Sequence, residues 1–235
     1  MKFKILEELL EGSIRPNGYT FEEIDEAEQR LDIKFPPSLR YAYHKFGRNN
    51  IVNGQNYFIP PKHLKVHNEI LVFFNENQAC YRWFFKVLEL KAGKTIIYGA
   101  DDDGYTVQLG TDIEFFLFQE CIIYSNRAFF SYRMVYNSLR LHNKDRLVSI
   151  FGPLRADNPS QGEQRIKWYW KDFSCIAMVI VEGFDATVHL YVESDQQCLD
   201  FIKNFGFRPW QVWHQRKVGK NSIERVRMYE DDFED

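Results

Sequence analysis

The sequence predicts an α+β fold: an antiparallel β-sheet packed with helices, followed by a small C-terminal β-hairpin-helix subdomain. Three observations carry this prediction. Segments with helical spacing and their own start and stop signals share the chain with short runs rich in aromatic and β-branched residues. The runs are joined by polar turns too short for parallel crossovers. Apolar residues make up 45% of the 235 positions, enough to bury a core.

Taken in order, Phe3, Leu6, Leu9 and Leu10 have helix spacing within Lys2 to Leu10, and Gly12, Pro16, Asn17 and Gly18 end that element. The next helix has the clearest start in the chain. Thr20 and Glu23 stand at capping-box spacing, and Ile24, Ala27 and Leu31 share one face. Phe35, Pro36 and Pro37 break that helix and open another over Ser38 to Phe46, striped by Leu39, Tyr43 and Phe46 and stopped at Gly47. Strands follow at Ile70 to Phe74, Tyr81 to Phe85, Thr95 to Tyr98 and Tyr105 to Leu109. Thr111 is a candidate cap for a third helix, Asp112 to Tyr124, carrying Ile113, Phe116 and Leu117. A further helix is expected near Tyr132 to Ile150.

Pro153 to Gly162 reads as the linker, dividing the chain into a domain over 1–152 and an appendage over 163–235. Beyond it, strands are expected at Ile166 to Trp170, Phe173 to Val181 and Thr187 to Val192. Ser194 and Gln197 then open a helix bearing Leu199, Ile202 and Phe205 and ending at Gly206.

Composition excludes some functions. The net charge of −3 and pI near 6.1 give no global pull toward nucleic acid or an anionic membrane. The distribution is uneven: Asn126 to Met228 holds sixteen Lys and Arg against ten Asp and Glu, whereas Tyr229 to Asp235 holds five acids. Cys80, Cys121, Cys175 and Cys198 are widely spaced without a C-x-x-C pair, and Met1 opens no secretory leader, so buried free thiols in the cytoplasm are expected. No apolar run reaches the roughly 18 to 20 residues that span a bilayer. Aromatic residues, at 17%, predict a core of large flat side chains with some left as partner anchors.

Catalytic and metal-binding patterns are weak. Gly93-Lys94-Thr95 lacks the first glycine of a phosphate loop, Leu88 standing in its place, and reads as a hairpin turn. His63 and His67 have i, i+4 spacing without a third ligand. Asp101, Asp102 and Asp103 lack the periodicity and distal Glu of a calcium loop, although they leave a metal-dependent hydrolase as a third reading. Trp168-Tyr169-Trp170 and Trp213-His214-Gln215-Arg216-Lys217 interleave aromatic and basic residues as nucleic-acid platforms do, but strand alternation explains them equally well. No catalytic residue, metal or cofactor is assigned, and nucleic acid is not the expected partner.

The run Ile24 to Tyr41, with Leu31, Ile33, Phe35-Pro36-Pro37 and Leu39, resembles the opening of the SUKH superfamily of cell-wall regulators and bacterial toxin-immunity domains, in its longer bacterial type. Glu76-Asn77-Gln78 ahead of Trp83 resembles the Glu-Asn-Gln turn and Trp of one group of that superfamily, with Ala79 where many relatives carry Gly. Ile96 to Tyr98, the turn at Asp101 to Gly104, and Ile113 to Leu117 follow in the same order. The resemblance covers about Thr20 to Tyr124 and is weaker from Trp168 to Trp210. It implies a non-enzymatic protein-binding domain, foremost an immunity protein that binds and neutralises a cognate bacterial toxin. The alternative it implies is a regulatory scaffold binding a signalling or cell-wall enzyme. The expected partner surface is Glu76, Asn77, Gln78, Asp101, Asp102 and Asp103, with Trp83 or Tyr105 as aromatic anchor. Against this stand the plainer readings of Trp83 as core and of the Asp run as a solvated turn.

Overall fold

A computed structural model of the chain describes residues 3, 5–7, 17–49, 56–110, 112–124, 132–136, 154–159, 164–170, 175–182, 185–192, 197, 212–217 and 223–227. The chain divides into two compact units, Met1–Ser125 and Asn126–Asp235. The class is α+β, as the sequence predicts.

In the first unit, helix α1 (Phe21–Leu31) starts with both halves of the capping box. Thr20 Oγ1 accepts from the Glu23 N–H, and Glu23 accepts from the Thr20 N–H. The step to helix α2 (Pro37–Phe46) is fixed by a buried carboxylate. Glu28 Oε1 accepts from the Phe35 N–H at 2.6 Å, while Oε2 pairs with Arg40 at 2.7 Å and Lys34 at 3.1 Å. Three donors on one carboxylate offset its desolvation and hold the Pro36-Pro37 corner in place. Helix α2 buries Leu39, Ala42, Tyr43 and Phe46, and the Tyr43 hydroxyl lies within donating distance of the Ile59 and Phe73 carbonyls.

The first sheet contains β1 (Asn56–Phe58), β2 (Val66–His67), β3 (Ile70–Glu76), β4 (Tyr81–Lys86), β5 (Ile97–Asp101) and β6 (Thr106–Gly110). Its order is β1-β3-β4-β5-β6, with β2 also pairing β3, and every pairing is antiparallel. Strand β3 bulges between Val72 and Phe74, so Phe73 is an extra residue relative to β4. Phe73 and Phe74 are consequently both buried beneath helix α4 (Ile113–Tyr124), where the Phe116 ring meets Phe73, Phe74 and Trp83 at 5.8, 5.6 and 5.9 Å. Seven side chains of α4 between Ile113 and Cys121 are buried, which suits a helix apolar nearly all round.

Some local expectations change here. Asp112 Oδ1 accepts from the Phe115 N–H at 3.0 Å in the first turn of α4, while Thr111, the expected cap, lies outside the described residues. A short helix α3 (Val87–Lys91) follows β4 directly. Gly93, at φ +76°, ends that helix rather than turning a hairpin: its N–H bonds Leu90 O and the Lys94 N–H bonds Glu89 O, the paired closure that favours glycine after a helix. His63 closes a 3₁₀ turn (Pro61–His63) and His67 lies in β2, so they share no helix face.

The second unit is larger in sheet than the expected hairpin and helix. It is a seven-stranded antiparallel sheet of order β13-β12-β7-β11-β10-β9-β8. Strands β9 (Gln164–Trp170), β10 (Cys175–Glu182) and β11 (Asp185–Val192) fall where the sequence places them. Two expectations fail. Tyr132–Tyr136, predicted helical, is strand β7, where Tyr132, Met134 and Tyr136 alternate with Arg133 and Val135. Leu154–Pro159, predicted as linker, is edge strand β8, where the Pro159 ring is tolerated at a strand end. The unit boundary accordingly lies at Ser125, ahead of the expected 152. Strands β12 (Val212–Lys217) and β13 (Ile223–Arg227) complete the sheet. The helix expected over Leu199 to Phe205 lies outside the described residues. Among the described residues, no helix is long and apolar enough to cross a membrane.

Candidate functional site

Antiparallel pairing brings the two sequence-predicted turns to the same end of the first sheet. Strand β3 ends at Glu76 and β4 starts at Tyr81; Tyr81 pairs with Asp101 at the end of β5, and β6 starts at Thr106. The Glu76 turn and the Asp101 turn are therefore neighbours, joined through β4.

Each turn is organised by its own carboxylate. Glu76 Oε2 accepts from the Gln78 and Cys80 N–H groups at 3.1 and 3.2 Å, and Glu76 O accepts from the Ala79 N–H. Ala79 sits at φ +62°, a left-handed conformation that favours glycine. Asn77 and Gln78 are exposed. In the second turn, Asp101 Oδ1 accepts from the Tyr105 N–H at 2.8 Å, and Asp101 O accepts from that of Gly104. Glu76 and Asp101 are thus occupied in shaping backbone. The outward features are Asp102, Asp103 and Tyr105, whose residue surface is 67% exposed.

Trp83 does not belong to that surface. It is 3% exposed, and its ring lies 5.4 Å from Phe74 and 5.0 Å from Tyr81, so it supports the sheet from within. Two residues absent from the sequence prediction join the site. Arg82 lies 4.0 Å from Asp102, a contact too long and too solvated to neutralise it. Tyr57 of β1, 44% exposed, pairs with Asn75, which pairs with Arg82, so all three share a sheet face. The signal for Tyr57 was the two-residue alternation of Asn56 to Phe58, obscured by the Asn- and Gly-rich sequence before it. Cys80 is exposed, contrary to the buried thiol expected, while Cys121 is buried.

Behind the turns, Asn56 pairs with Glu76 across β1 and β3, and its Nδ2 donates to Glu120 Oε2 of α4 at 2.6 Å. Asn56 Oδ1 is buried with no hydrogen-bond partner among the described residues. Burial pushes the Glu120 carboxyl from its ordinary 4.5 up to about 8, outweighing the Asn56 hydrogen bond, which acts in the opposite sense. Glu120 is therefore mainly protonated at neutral pH.

Other chemistry is less well placed. A cleft of about 660 Å³ lies between α1 and the Pro60–His63 segment, lined in part by Tyr19, Glu23, Arg30, Arg48, Lys62 and His63. Arg48 is engaged there by Glu23 and by the Tyr19 ring, 4.4 Å from its centroid; Arg30 donates to Pro61 O and Leu64 O. Among the described residues, no group of three or more His, Cys, Asp or Glu is arranged to hold a metal ion. Trp168, Tyr169 and Trp170 are buried, so they do not form an exposed stacking platform. No family model, curated protein or solved structure matches the chain.

Two outcomes test this geometry. Ala79→Gly should raise stability by about 1 kcal/mol, seen as a higher urea midpoint, because it relieves a left-handed alanine. For Glu120, the unfolded carboxyl loses its proton near pH 4.5 while the folded one keeps it to about 8, so stability falls as pH rises through that window. Glu120→Gln has no proton to lose. Its stability relative to wild type should increase between pH 5 and pH 8 by on the order of a few kcal/mol, whereas parallel urea-unfolding profiles would contradict a buried neutral acid.

Proposed function

We propose that this chain is a non-enzymatic protein-binding domain that neutralises a cognate bacterial toxin in the cytoplasm of the producing cell. The observation that carries the reading is the convergence of the Glu76 and Asp101 turns on one sheet end, with Asp102, Asp103 and Tyr105 exposed there and Tyr57 exposed on β1 of the same sheet. A rigid sheet holding exposed aromatic and acidic groups suits recognition, since little side-chain or loop ordering remains to be lost on binding. The acids favour a basic partner surface and accelerate encounter, and Tyr105 offers a flat, amphipathic anchor. A stable complex of this kind buries roughly 1,200 to 2,000 Å², more than the turns alone offer, so the contact extends along the β1–β4 face through Tyr57 and Arg82. The ordered resemblance of Thr20 to Tyr124 to immunity domains supports the same reading.

Co-expression with the product of the neighbouring reading frame tests the proposal. The wild-type chain should rescue growth and co-elute with that product on a sizing column. Asp102→Lys/Asp103→Lys/Tyr105→Ala should fold normally, lose the rescue and weaken binding by at least about 100-fold. Absence of rescue by the wild type, or full rescue by the triple variant, would sink the assignment. A pull-down dominated by cell-wall or signalling enzymes would favour the scaffold reading instead.

A further inference from the structure

The cleft beside α1 is bordered by an open helix face and a polar clasp. Glu23, Glu26, Ala27 and Arg30 follow at i, i+3, i+4 and i+7 and therefore share one side of the helix. The Pro60–His63 segment meets that side through Arg30, whose Nη1 and Nη2 donate to Leu64 O and Pro61 O at 2.9 Å each. Toward the N-terminal end of α1, Arg48 stacks on Tyr19 at 4.4 Å, and Gly47 admits the Tyr19 ring where a Cβ would approach it to 2.6 Å. These contacts border a space of about 660 Å³. Sites for small molecules run from roughly 300 to 1,000 Å³, so the cleft has their size. Its rim is accessible: Glu26, Arg30, Arg48, Lys62 and His63 are all exposed, while Ala27 and Pro61 are buried.

The partners already made leave a surplus of donors. Glu23 is fully used: its Oε2 accepts from the Thr20 N–H at 2.9 Å, and both oxygens accept from Arg48 Nη2 at 2.6 and 2.8 Å. Those two charges cancel in place. Arg30 bonds two neutral carbonyls and no carboxylate. Among the described residues, the Lys62 and His63 side chains and the Tyr19 hydroxyl make no hydrogen bond or ion pair, and Glu26 is the one unpaired acid of the lining. Burial raises the Tyr19 hydroxyl above its ordinary 10, against the pull of Arg48, so it stays a donor at neutral pH. Arg30, Lys62, His63 and Tyr19 thus offer donors against the single charge of Glu26. Pro60, Pro61 and Ala27 add apolar surface beside them, and the half-exposed Arg48 guanidinium presents a plane on which a ring can stack. We propose that this cleft binds a small organic anion, a planar ring of about mononucleotide size that carries a phosphate or a carboxylate. Lys62, Arg30 and Tyr19 take the anion, and the ring lies against the Pro60-Pro61 step and Arg48. None of these residues belongs to the Glu76 or Asp101 turn, so the site does not depend on toxin neutralisation.

Isothermal titration of the full chain with adenosine 5′-monophosphate and with 2-naphthoate tests this, the two probes separating phosphate from carboxylate. One or both should bind one to one with a Kd below about 1 mM and should weaken with salt. Adenosine and 2-naphthamide, which keep the ring and lose the anion, should bind at least about ten-fold more weakly, as should inorganic phosphate, which keeps the anion and lacks the ring. Lys62→Gln should weaken the probe about five-fold and Lys62→Arg should retain it, whereas Lys94→Gln, an equal change of net charge, should have no effect. Glu26→Gln should tighten binding by about two- to five-fold, a gain that misfolding cannot produce. Failure of both probes to bind would overturn the proposal, as would a neutral ring or inorganic phosphate binding as tightly as the probe. So would an affinity that neither Lys62→Gln nor Glu26→Gln changes. Binding of a tetraglutamate peptide where neither ring compound binds would also overturn it, assigning the cleft to an acidic protein segment.

Discussion

The extra residue at Phe73 is the constraint on which the first unit depends. Strand β3 advances two residues from Val72 to Phe74 while β4 advances one, from Phe84 to Trp83. The shift turns two successive phenylalanines inward, and Phe116 of α4 packs against both. Aromatic contacts of this type are worth about 0.5–1.5 kcal/mol each beyond the area they bury. The same shift resets the alternation of every residue that follows on β3. Asn75 then falls on the face of Tyr57 and Arg82, and Glu76 comes opposite Asn56 and into the turn, where its carboxylate collects two backbone N–H groups. A packing device in the core thus sets the aim of the candidate site.

Around it, buried polar groups fix the remaining elements. Glu28 locks the corner between α1 and α2, the Tyr43 hydroxyl ties α2 to the sheet, and Glu120 reaches Asn56 from α4. These contacts differ in kind. Glu28 is paired with two cations and a backbone N–H, whereas Glu120, among the described residues, is bonded by one amide and is held largely neutral by burial. The sheet edge is thereby linked to pH through Glu120, while the helical corner is secured by ionic contacts.

What the sequence disclosed follows from how local each signal is. The capping box at Thr20, the Pro36-Pro37 break and the turns at Glu76 and Asp101 are set by neighbours a few residues apart, and all were legible. Strand β7 was not, because Tyr132 to Tyr136 is short and its apolar residues fit either period until the pairing with β11 and β12 is known. Strand β8 was hidden by Asp157, Asn158 and Pro159, turn-forming residues that an edge strand accommodates. Trp83 was ambiguous for a different reason: alternation along β4 puts it on the face of Phe85, two residues on, but which face of the sheet is covered is known only once α4 is packed against it. Tyr57 and Arg82 join the site only across strands, through pairings that no sequence window contains.

The end of the first sheet, with its adjoining face, is proposed to meet another protein. Hydrogen exchange of the backbone amides, with and without the product of the neighbouring reading frame, tests it most directly. Slowed exchange is expected at Glu76 to Tyr81 and Asp101 to Thr106 in the complex. A stable complex that protects other segments and leaves both turns exchanging as in the free chain would contradict it.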